Sequence, residues 1–213
     1  MAYVPVFIRP QSLRALIIGS GFVGTSRAKK LKGLGAEVTV VSLEDEPRLR
    51  EYEIDVIVAD ARELSEEFFS RFHIVFVHTG NPDVNRVICE KVRRSGRLCD
   101  DPLDMSGSDL IFPVYYANDV VQVAVTSYGN LTLFAEEVLQ KIKEFLENEK
   151  VINLGKAATV IKPLLKDKVK DPKVRNKLYR LIYYDSKFRE LAEKGEFEEA
   201  RLRALEVIGN VVE

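Results

Sequence analysis

The stretch LIIGSGFVGTSRAKKLKGLGAEVTVVS, residues 16–42, places three glycines between two apolar runs and limits the fold more than any other part of the chain. Gly19, Gly21 and Gly24 have the spacing GxGxxG, directly after a predicted strand and at the start of a predicted helix. In this motif the first glycine allows a tight turn, the second lets a pyrophosphate approach the backbone, and the third lets helix and strand pack closely. Free N–H groups at the helix terminus also attract phosphates. The stretch therefore predicts a bound dinucleotide.

The choice between NAD and NADP depends on the residues after the second apolar run. In NAD-binding proteins an acidic residue about 20 residues after the glycines binds the ribose hydroxyls. Here the second strand ends in Ser42, and Glu44 and Asp45 come slightly late for that role. Arg48 and Arg50 are alternatives that would meet the phosphate of NADP. We expect NAD.

Around this motif, apolar runs alternate with helical patterns as far as residue 113. We expect strands at LRALIIG, EVTVVS, DVIVAD, HIVFVHT and RLCD. We expect helices over residues 22–34, about 63–71 and about 82–95. Strands and helices in alternation are typical of a parallel sheet covered on both faces. The predicted fold class is α/β, with a Rossmann-like doubly wound parallel sheet over residues 1–113.

The pattern changes after residue 113. A short strand, VVQVAVTS, precedes an amphipathic helix over about 131–148. Its apolar residues lie roughly on one face: Leu133, Val138, Ile142 and Phe145. Because this strand has no strand partner of its own in the pattern, we expect a second copy of the chain to cover it, with residues 114–150 as the dimerisation segment of a homodimer. Residues 151–213 show only helical patterns and predict a small all-helical C-terminal domain.

The composition describes an ordinary globular chain, with 46% apolar residues, 31% charged residues and a formal net charge of −1. This balance gives no attraction to nucleic acid or to a membrane surface, so we expect neither as a partner. The apolar runs are far shorter than the roughly 20 residues that span a bilayer. Because MAYVPVFIRP lacks the order of a secretory signal, we expect a cytoplasmic protein. Cys89 and Cys99 lack CxxC spacing and are interpreted as buried free thiols, and no metal ligands are assigned.

A second group of polar residues lies in HTGNPDVNRVICEKVRRSGRLCDDP. Ligands of a doubly wound sheet bind outside the carboxyl ends of the strands. Thr79, Gly80 and Asn81 come after the strand HIVFVHT and would face the cofactor there. Asp100 and Asp101 close the next strand, where a carboxylate near the nicotinamide ring suits proton transfer or the holding of a cation. The alternative is that DDP is only a turn signal, and the sequence leaves both interpretations open.

The order of several motifs resembles one family. VPVFI, LIIGSGFVGTSRAKKLKGLGAEVTVVS, VFVHTGNPDVNRVI, CDDP, DLIFPV and VAVTSYGN are similar to the precorrin-2 dehydrogenase family, the N-terminal module of siroheme synthase. The resemblance covers essentially the whole chain and includes the C-terminal RNKLYRLIYYDSKFRELAEKGEFEEA. It implies a homodimer that uses NAD to oxidise precorrin-2 to sirohydrochlorin. Some members of the family also insert ferrous iron to give siroheme.

The resemblance also implies roles for individual residues. The cofactor-binding positions that we predict are Gly19, Gly21, Phe22, Val23, Gly24, Ser42, Leu43, Glu44, Thr79 and Gly80. Asn85 matches the asparagine that opens the helix after Thr79. Asp100 aligns with the aspartate that ends the NVVD stretch of the family and is the predicted catalytic residue. One carboxylate suits either reaction, because hydride removal is accompanied by loss of a proton and iron insertion displaces pyrrole protons.

The chain departs from the family pattern near the expected substrate. Arg97 replaces the asparagine of NVVD, and residues 103–108 lengthen the adjoining loop. The family's STGGxSP stretch is here TSYGNLTLF, and Gln140 replaces a usual arginine. We predict Arg97 and Ser127 as substrate-binding residues, with Arg94 or KDPKVRNK as other sources of positive charge for this carboxylate-rich substrate. A hydroxyl such as that of Ser127 also suits a helix cap.

The sequence does not favour a catalytic role for either histidine, although His78 lies nearer the crevice. His73 begins a strand, and His78 precedes Thr79, so that alternation turns its side chain to the opposite face from that threonine. The sequence thus predicts an NAD-dependent precorrin-2 dehydrogenase, with sirohydrochlorin ferrochelatase activity as an addition. The alternatives are an NAD(H)-binding regulatory module without catalysis and a chelatase that has lost the dehydrogenase activity.

Overall fold

The computed structural model describes residues 3–129, 131–148 and 150–212. The chain divides into two compact units, Met1–Phe112 and Pro113–Glu213. Across the described ranges, no helix has both the length and the apolar character needed to cross a membrane.

The first unit is built on a five-stranded sheet. Its strands are β1 (Arg14–Ile18), β2 (Glu37–Ser42), β3 (Asp55–Val58), β4 (Ile74–Val77) and β5 (Leu98–Asp100). All neighbours pair in parallel, in the order β3-β2-β1-β4-β5. This is the strand order of a doubly wound nucleotide-binding sheet, and it confirms the predicted fold class.

Helices cover both faces of this sheet. After a short 3-10 helix (Pro10–Ser12), they are α1 (Phe22–Gly33), α2 (Pro47–Arg50), α3 (Glu66–Ser70) and α4 (Pro82–Arg94). One core contains Ala15 and Ile17 of β1 with residues of α1 and α2, and the other contains Leu16 and Ile18 with residues of α3 and α4. Because both faces are buried, β1 is apolar at successive positions rather than at every second one.

The strand order reverses beside β1. The chain runs from β1 through β2 to β3 at one edge and then crosses back to β4 on the other side of β1. At the carboxyl ends Ile18 pairs with Val77, and Phe76 pairs with Asp100. Ligands of open α/β sheets bind at such a switch point, so the predicted site residues of β1, β4 and β5 reach one crevice.

Cys89 of α4 and Cys99 of β5 form a disulfide, with Cα atoms 5.5 Å apart. The expectation of free thiols was therefore wrong, although both residues are buried as predicted. The physical reason is that α4 packs on the face of the sheet to which Cys99 points, and the chain returns from α4 to β5 within ten residues. CxxC spacing reveals only pairs within one turn, and this pair joins two elements.

The second unit begins with a hairpin of β6 (Val114–Ala117) and β7 (Gln122–Val125). The two strands pair antiparallel, with Tyr115 opposite Ala124. The expectation that the second strand lacks a partner in its own chain was therefore wrong. The signal that was missed is Asn118, whose side-chain oxygen accepts hydrogen bonds from the backbone N–H groups of Val120 and Val121 and so closes the turn.

Helices make up the rest of the second unit, as predicted. They are α5 (Thr132–Asn148), α6 (Val151–Ala158), α7 (Ile161–Lys168), α8 (Pro172–Tyr183), α9 (Ser186–Lys194) and α10 (Phe197–Val212). The five helices after α5 share a core that includes Ile161, Leu178 and Phe188. Gly195 ends α9 with a φ of 83°, a conformation that favours glycine.

An ion pair joins α9 to α10. The Asp185 carboxylate caps α9 by accepting a hydrogen bond from Phe188 N at 2.8 Å. It also accepts two hydrogen bonds from the Arg203 guanidinium of α10, at 3.0 and 2.7 Å. These bonds lower the pKa of Asp185 below its usual value, with the Arg203 hydrogen bond as the main cause.

The helix α5 packs on the hairpin but leaves much of its apolar surface open. Ala135 is buried, whereas Leu133 is 81% exposed and Phe134 and Phe145 are also exposed. The helix and its amphipathic character were predicted. Within the described part of one chain, however, its apolar face is only half covered, at Val138 and Ile142.

Candidate active site

The glycine turn after β1 has no room for side chains. Gly19 has a φ of 102°, and a Cβ atom there would lie 2.5 Å from the carbonyl oxygen of His78. A Cβ at Gly24 would collide with the carbonyl oxygen of Gly19. Gly19 N also donates a hydrogen bond to Val41 O at 2.8 Å, which ties the turn to β2. The turn therefore packs closely against the end of β4, and α1 packs closely against the turn, as the spacing of the glycines predicts.

The N terminus of α1 is open toward the crevice. Gly21 is its N-cap residue, makes no side-chain cap, and would have nothing within 4 Å of an added Cβ. The first intrahelical bond runs from Thr25 N to Gly21 O, so the N–H groups of Phe22, Val23 and Gly24 precede it. The Phe22 side chain is 91% exposed. Backbone donors with space in front of them form a ready site for a phosphate group.

A pocket of about 430 Å³ lies between the start of α1 and the segment after β2. Its lining residues are Ser20, Phe22, Thr25, Ser26, Lys29, Glu46 and Arg48. Most of these residues were not predicted, because hydroxyl and charged residues at the start of a helix carry no distinctive spacing. The pocket lies beside the glycine turn, at the end of the site where a dinucleotide places its adenosine half.

The residues after β2 are already engaged with one another. The Ser42 hydroxyl donates to the carbonyl oxygen of Glu44, while the side chains of Leu43 and Glu44 are exposed. Arg48 forms an ion pair with Glu46 at 2.9 Å, and this hydrogen bond lowers the pKa of Glu46. Arg50 likewise pairs with Asp45 at 2.9 Å. The two arginines that were weighed as phosphate ligands therefore each have a carboxylate partner.

Asn85 connects the carboxyl ends of β4 and β5. It is fully buried in the first turns of α4, and its side-chain oxygen accepts a hydrogen bond from the Thr79 hydroxyl at 2.6 Å. Its Nδ2 donates to Val77 O at 3.1 Å and to an Asp101 carboxylate oxygen at 2.8 Å. Gly80 comes next after Thr79, with a φ of 76°. Thr79, a predicted cofactor-binding residue, is thus held in place by the Asn85 amide.

The two aspartates of DDP have different roles. Asp101 accepts hydrogen bonds from Asn85 and from Leu103 N at 3.0 Å, and its own N–H donates to the Ser108 hydroxyl at 2.7 Å, so it builds the turn. Asp100 points to the other face of the sheet, where its carboxylate is 7% exposed and lies 3.5 Å from His78 Nε2. The turn interpretation therefore holds for Asp101, and the role of Asp100 at the nicotinamide stays a prediction.

Arg27 of α1 interacts electrostatically with Asp100. Its guanidinium lies 3.9 Å from the centre of the Phe112 ring and 5.3 Å from that of Phe76. Burial lowers the pKa of Arg27, and the negative charge of Asp100 opposes the shift. Arg27 was not predicted, and a catalytic role was not favoured for His78, because only the register of β4 with β5 and the position of α1 bring these residues to Asp100.

The two predicted substrate-binding residues form hydrogen bonds with the backbone. Arg97 precedes β5 and donates a hydrogen bond to Ser70 O at 2.7 Å, at the opposite end of that strand from Asp100. Ser127 belongs to the second unit, and its hydroxyl accepts a hydrogen bond from the N–H of Leu131, just before α5, at 2.9 Å. The substrate role of both residues stays a prediction.

Residues 6–114 match the model of a family of NAD(P)-binding domains. The chain belongs to this NAD(P)-binding family. The similarity to known proteins extends past this domain. The chain is 22% identical over 199 residues to a protein assigned as precorrin-2 dehydrogenase in Methanocaldococcus jannaschii. That alignment covers 90% of the chain and 95% of the relative.

The NAD(P)-binding chain is also similar to parts of longer proteins. It is 25% identical to siroheme synthase 1 of Aeromonas hydrophila, over 88% of the chain and 39% of that protein. It is 29% identical to siroheme synthase 2 of Aeromonas salmonicida, over 80% of the chain and 34% of that protein. Among solved structures, SirC, a precorrin-2 dehydrogenase, superimposes with a TM-score of 0.67 at 19% identity, over 92% of this chain and 98% of that one. At this identity the likeness shows the fold.

The NAD(P)-binding domain fits the cofactor of its family at the glycine turn. A Cβ at Gly19 or Gly24 would meet backbone, whereas the space in front of Gly21 is open and faces backbone donors. Gly19, Gly21, Phe22, Val23 and Gly24 would hold the pyrophosphate there. The other predicted contacts, at Ser42, Leu43, Glu44, Thr79 and Gly80, lie at the ends of β2 and β4, on the same edge of the sheet.

Proposed function

We propose that this chain is a cytoplasmic NAD-dependent precorrin-2 dehydrogenase that oxidises precorrin-2 to sirohydrochlorin. The observation that carries the proposal is the Asp100 carboxylate, buried at the carboxyl end of β5 on the sheet edge that also bears the glycine turn. The relative from Methanocaldococcus jannaschii, matched over nearly its full length, and the fold of SirC support it.

The chemistry requires two groups at the tetrapyrrole. When bound, NAD supplies a hydride acceptor at its nicotinamide ring. Oxidation also releases a proton from the macrocycle, and the Asp100 carboxylate is the group of this crevice suited to accept it. Thr79, whose hydroxyl is held by Asn85, lies just after β4 at the same crevice. Asp101 is committed to its turn and takes no part.

NAD is the preferred cofactor in this proposal. Arg48 and Arg50 would be the cations for the additional phosphate of NADP, but Glu46 and Asp45 already neutralise them. Binding that phosphate would require it to displace two carboxylates or to lie beside them. The ribose of NAD carries no such charge, so the paired arginines do not oppose it.

The proposal includes a homodimer formed by residues 114–150. A two-stranded hairpin is marginally stable by itself, and α5 exposes Leu133, Phe134 and Phe145. A second copy of the chain would extend the hairpin and cover these side chains. The ligand of the assembled protein in this proposal is the tetrapyrrole, with no nucleic acid and no membrane involved.

Insertion of ferrous iron into sirohydrochlorin is a second reaction that suits the same carboxylate. Metal insertion displaces pyrrole protons, and these need an acceptor beside the ring. Iron is a substrate in this reaction, so it needs no resident site on the chain. Incubation of sirohydrochlorin with ferrous iron and the protein, under anaerobic conditions and without NAD, tests it by the absorbance of siroheme.

The test of the dehydrogenase is an anaerobic assay with precorrin-2 and NAD that measures both sirohydrochlorin and NADH. We expect equal amounts of the two products from the unmodified chain and a loss of about 100-fold or more in kcat for Asp100→Asn. The matched control is Asp55→Asn, which changes an exposed aspartate at the start of β3. Tight binding of NAD without turnover would contradict the proposal and favour an NAD(H)-binding regulatory module.

A further inference from the structure

His78 is a buried histidine whose polar atoms are largely unused. Its side chain is 2% exposed, and neither ring nitrogen has a hydrogen-bond partner among the described residues. Buried polar groups are nearly always paired, because an unpaired one loses its hydration without compensation. The nearest acidic group is the Asp100 carboxylate, 3.5 Å from Nε2. This distance slightly exceeds a hydrogen bond, and catalytic contacts of this length commonly tighten when substrate binds.

The groups around this pair set its charge. Arg27 faces Asp100 from α1, with Lys30 one turn further along the helix, and the rings of Phe76 and Phe112 close the space. Asp101 turns its carboxylate away, toward Asn85. A guanidinium keeps its proton in proteins. An ionised Asp100 beside charged Arg27 is neutral as a pair, so the resting state that avoids a buried excess charge has a neutral His78 ring.

We propose that His78 is a positioning residue for Asp100: its Nε2–H orients the carboxylate that accepts the proton from the substrate. This rests on the proposed function of Asp100 as the proton acceptor. When the carboxylate takes up the proton released during oxidation, the pair gains one positive charge in total. That proton resides on the Asp100 carboxyl group, because Nε2 of the neutral ring already carries a proton.

The backbone of His78 strengthens the assignment. Its N–H donates to Ile18 O at 2.8 Å, and its carbonyl oxygen lies against the Gly19 turn. The ring is therefore carried by a segment that is fixed to β1 and to the cofactor turn. A side chain held in this way keeps a constant position relative to Asp100, as a positioning residue must.

A spectroscopic test does not depend on turnover. The chain has two histidines, so a ¹⁵N-histidine sample gives two ring systems, and His73 is the internal control because its Nδ1 accepts a hydrogen bond from Arg14 N at 3.0 Å, away from Asp100. We expect the His78 ring to carry its proton on Nε2, and its ¹⁵N chemical shifts to change in Asp100→Asn while those of His73 do not. A His78 ring with its proton on Nδ1, or identical His78 ring shifts in the two proteins, would overturn the proposal.

A kinetic test uses the assay for precorrin-2. His78→Gln keeps a donor near Asp100, and His78→Asn shortens the reach; His73→Gln is the matched control. We expect kcat to fall about tenfold or more in His78→Asn and less in His78→Gln, with unaltered affinity for NAD. Wild-type kcat in His78→Asn would overturn the proposal.

The two tests separate this inference from the proposed function. If the unmodified chain fails to oxidise precorrin-2, the dehydrogenase proposal fails and the role of His78 in that reaction fails with it, while the ring spectra still report whether His78 and Asp100 are coupled. If the His78 variants do not bind NAD, their folding is impaired, and the comparison of the unmodified chain with Asp100→Asn decides alone.

Discussion

At Gly19, two independent features of the backbone exclude a side chain. The φ of 102° lies in a region that other residues adopt only under strain, and the carbonyl oxygen of His78 occupies the space of a Cβ. The glycine is therefore required by β4 as much as by the cofactor. This explains in part why the motif could be recognised from the sequence, since Gly19 and Gly24 are both required by the backbone itself.

Gly19→Ala should lower the free energy of unfolding by about 1–3 kcal/mol, the cost of one strained backbone residue. Because the turn must shift, we also expect NADH to bind about tenfold more weakly or worse. Urea denaturation and NADH fluorescence measure the two effects.

The matched control for this variant is Gly33→Ala. Gly33 lies in α1, and a Cβ there would have nothing within 4 Å. An alanine should stabilise the helix by about 0.4–1 kcal/mol and leave NADH binding unchanged. Equal stability of Gly19→Ala and the unmodified chain would show that the turn tolerates a side chain.

At the scale of elements, two contacts connect helices and strands whose association the sequence pattern does not predict. The disulfide of Cys89 and Cys99 joins α4 to β5, and the bonds of Asp185 with Arg203 join α9 to α10. Neither can be inferred from periodicity, because periodicity describes one element at a time. Both depend on how the chain returns after an element ends.

Reduction of the disulfide should lower stability by about 2–3 kcal/mol, the chain-entropy value for a loop of this length. Denaturation with and without reductant measures the loss. Titration of thiols in the denatured, unreduced protein should find none. Reductant should not change the stability of the Cys89→Ala/Cys99→Ala double variant. If reductant destabilised that variant equally, the loss of stability would have a cause other than this disulfide.

The ion pair of α9 and α10 predicts a pH dependence. The folded-state pKa of Asp185 is lowered, so its contribution is present above the unfolded pKa and is lost as pH falls through the lowered folded value. Asp185→Asn keeps the cap and loses the charge, and should cost about 0.5–1 kcal/mol at pH 7. Asp185→Ala loses both and should cost about 1 kcal/mol more.

Thermal denaturation between acidic and neutral pH measures this difference. The gap between the unmodified chain and Asp185→Asn should close as the pH falls, because protonation removes the same charge that the substitution removes. A gap that stays constant with pH would mean that the carboxylate charge does not stabilise the helical unit.

For the whole molecule, the exposed apolar face of α5 has the largest consequence. In the proposed homodimer, light scattering should give twice the mass of 24.2 kDa for the chain. Leu133→Glu with Phe134→Glu should produce monomers, because two charges would be buried in the interface. Leu181→Glu changes an exposed leucine of α8 and should leave the mass unchanged. Dimers that survive the double substitution would place the interface elsewhere.

Prediction from the sequence succeeded where one element carries its own signal. The alternation of strands and helices, the glycine turn and Asp100 at the end of β5 are of this kind. It failed or was silent where two elements must meet: the hairpin of β6 and β7, the disulfide, and the approach of Arg27 and His78 to Asp100. The pairing of Phe76 with Asp100 sets the last of these, and no pattern within β4 or β5 reveals that register.

His78 touches the glycine turn with its carbonyl group and the Asp100 carboxylate with its ring. One isotope-labelled residue therefore carries two separate reporters. A ¹³C label on its carbonyl would sense the docking of the dinucleotide, and ¹⁵N labels on its ring would sense the fate of the proton. Recorded in a single sample during turnover, the two signals would give the order in which cofactor binding and proton uptake occur.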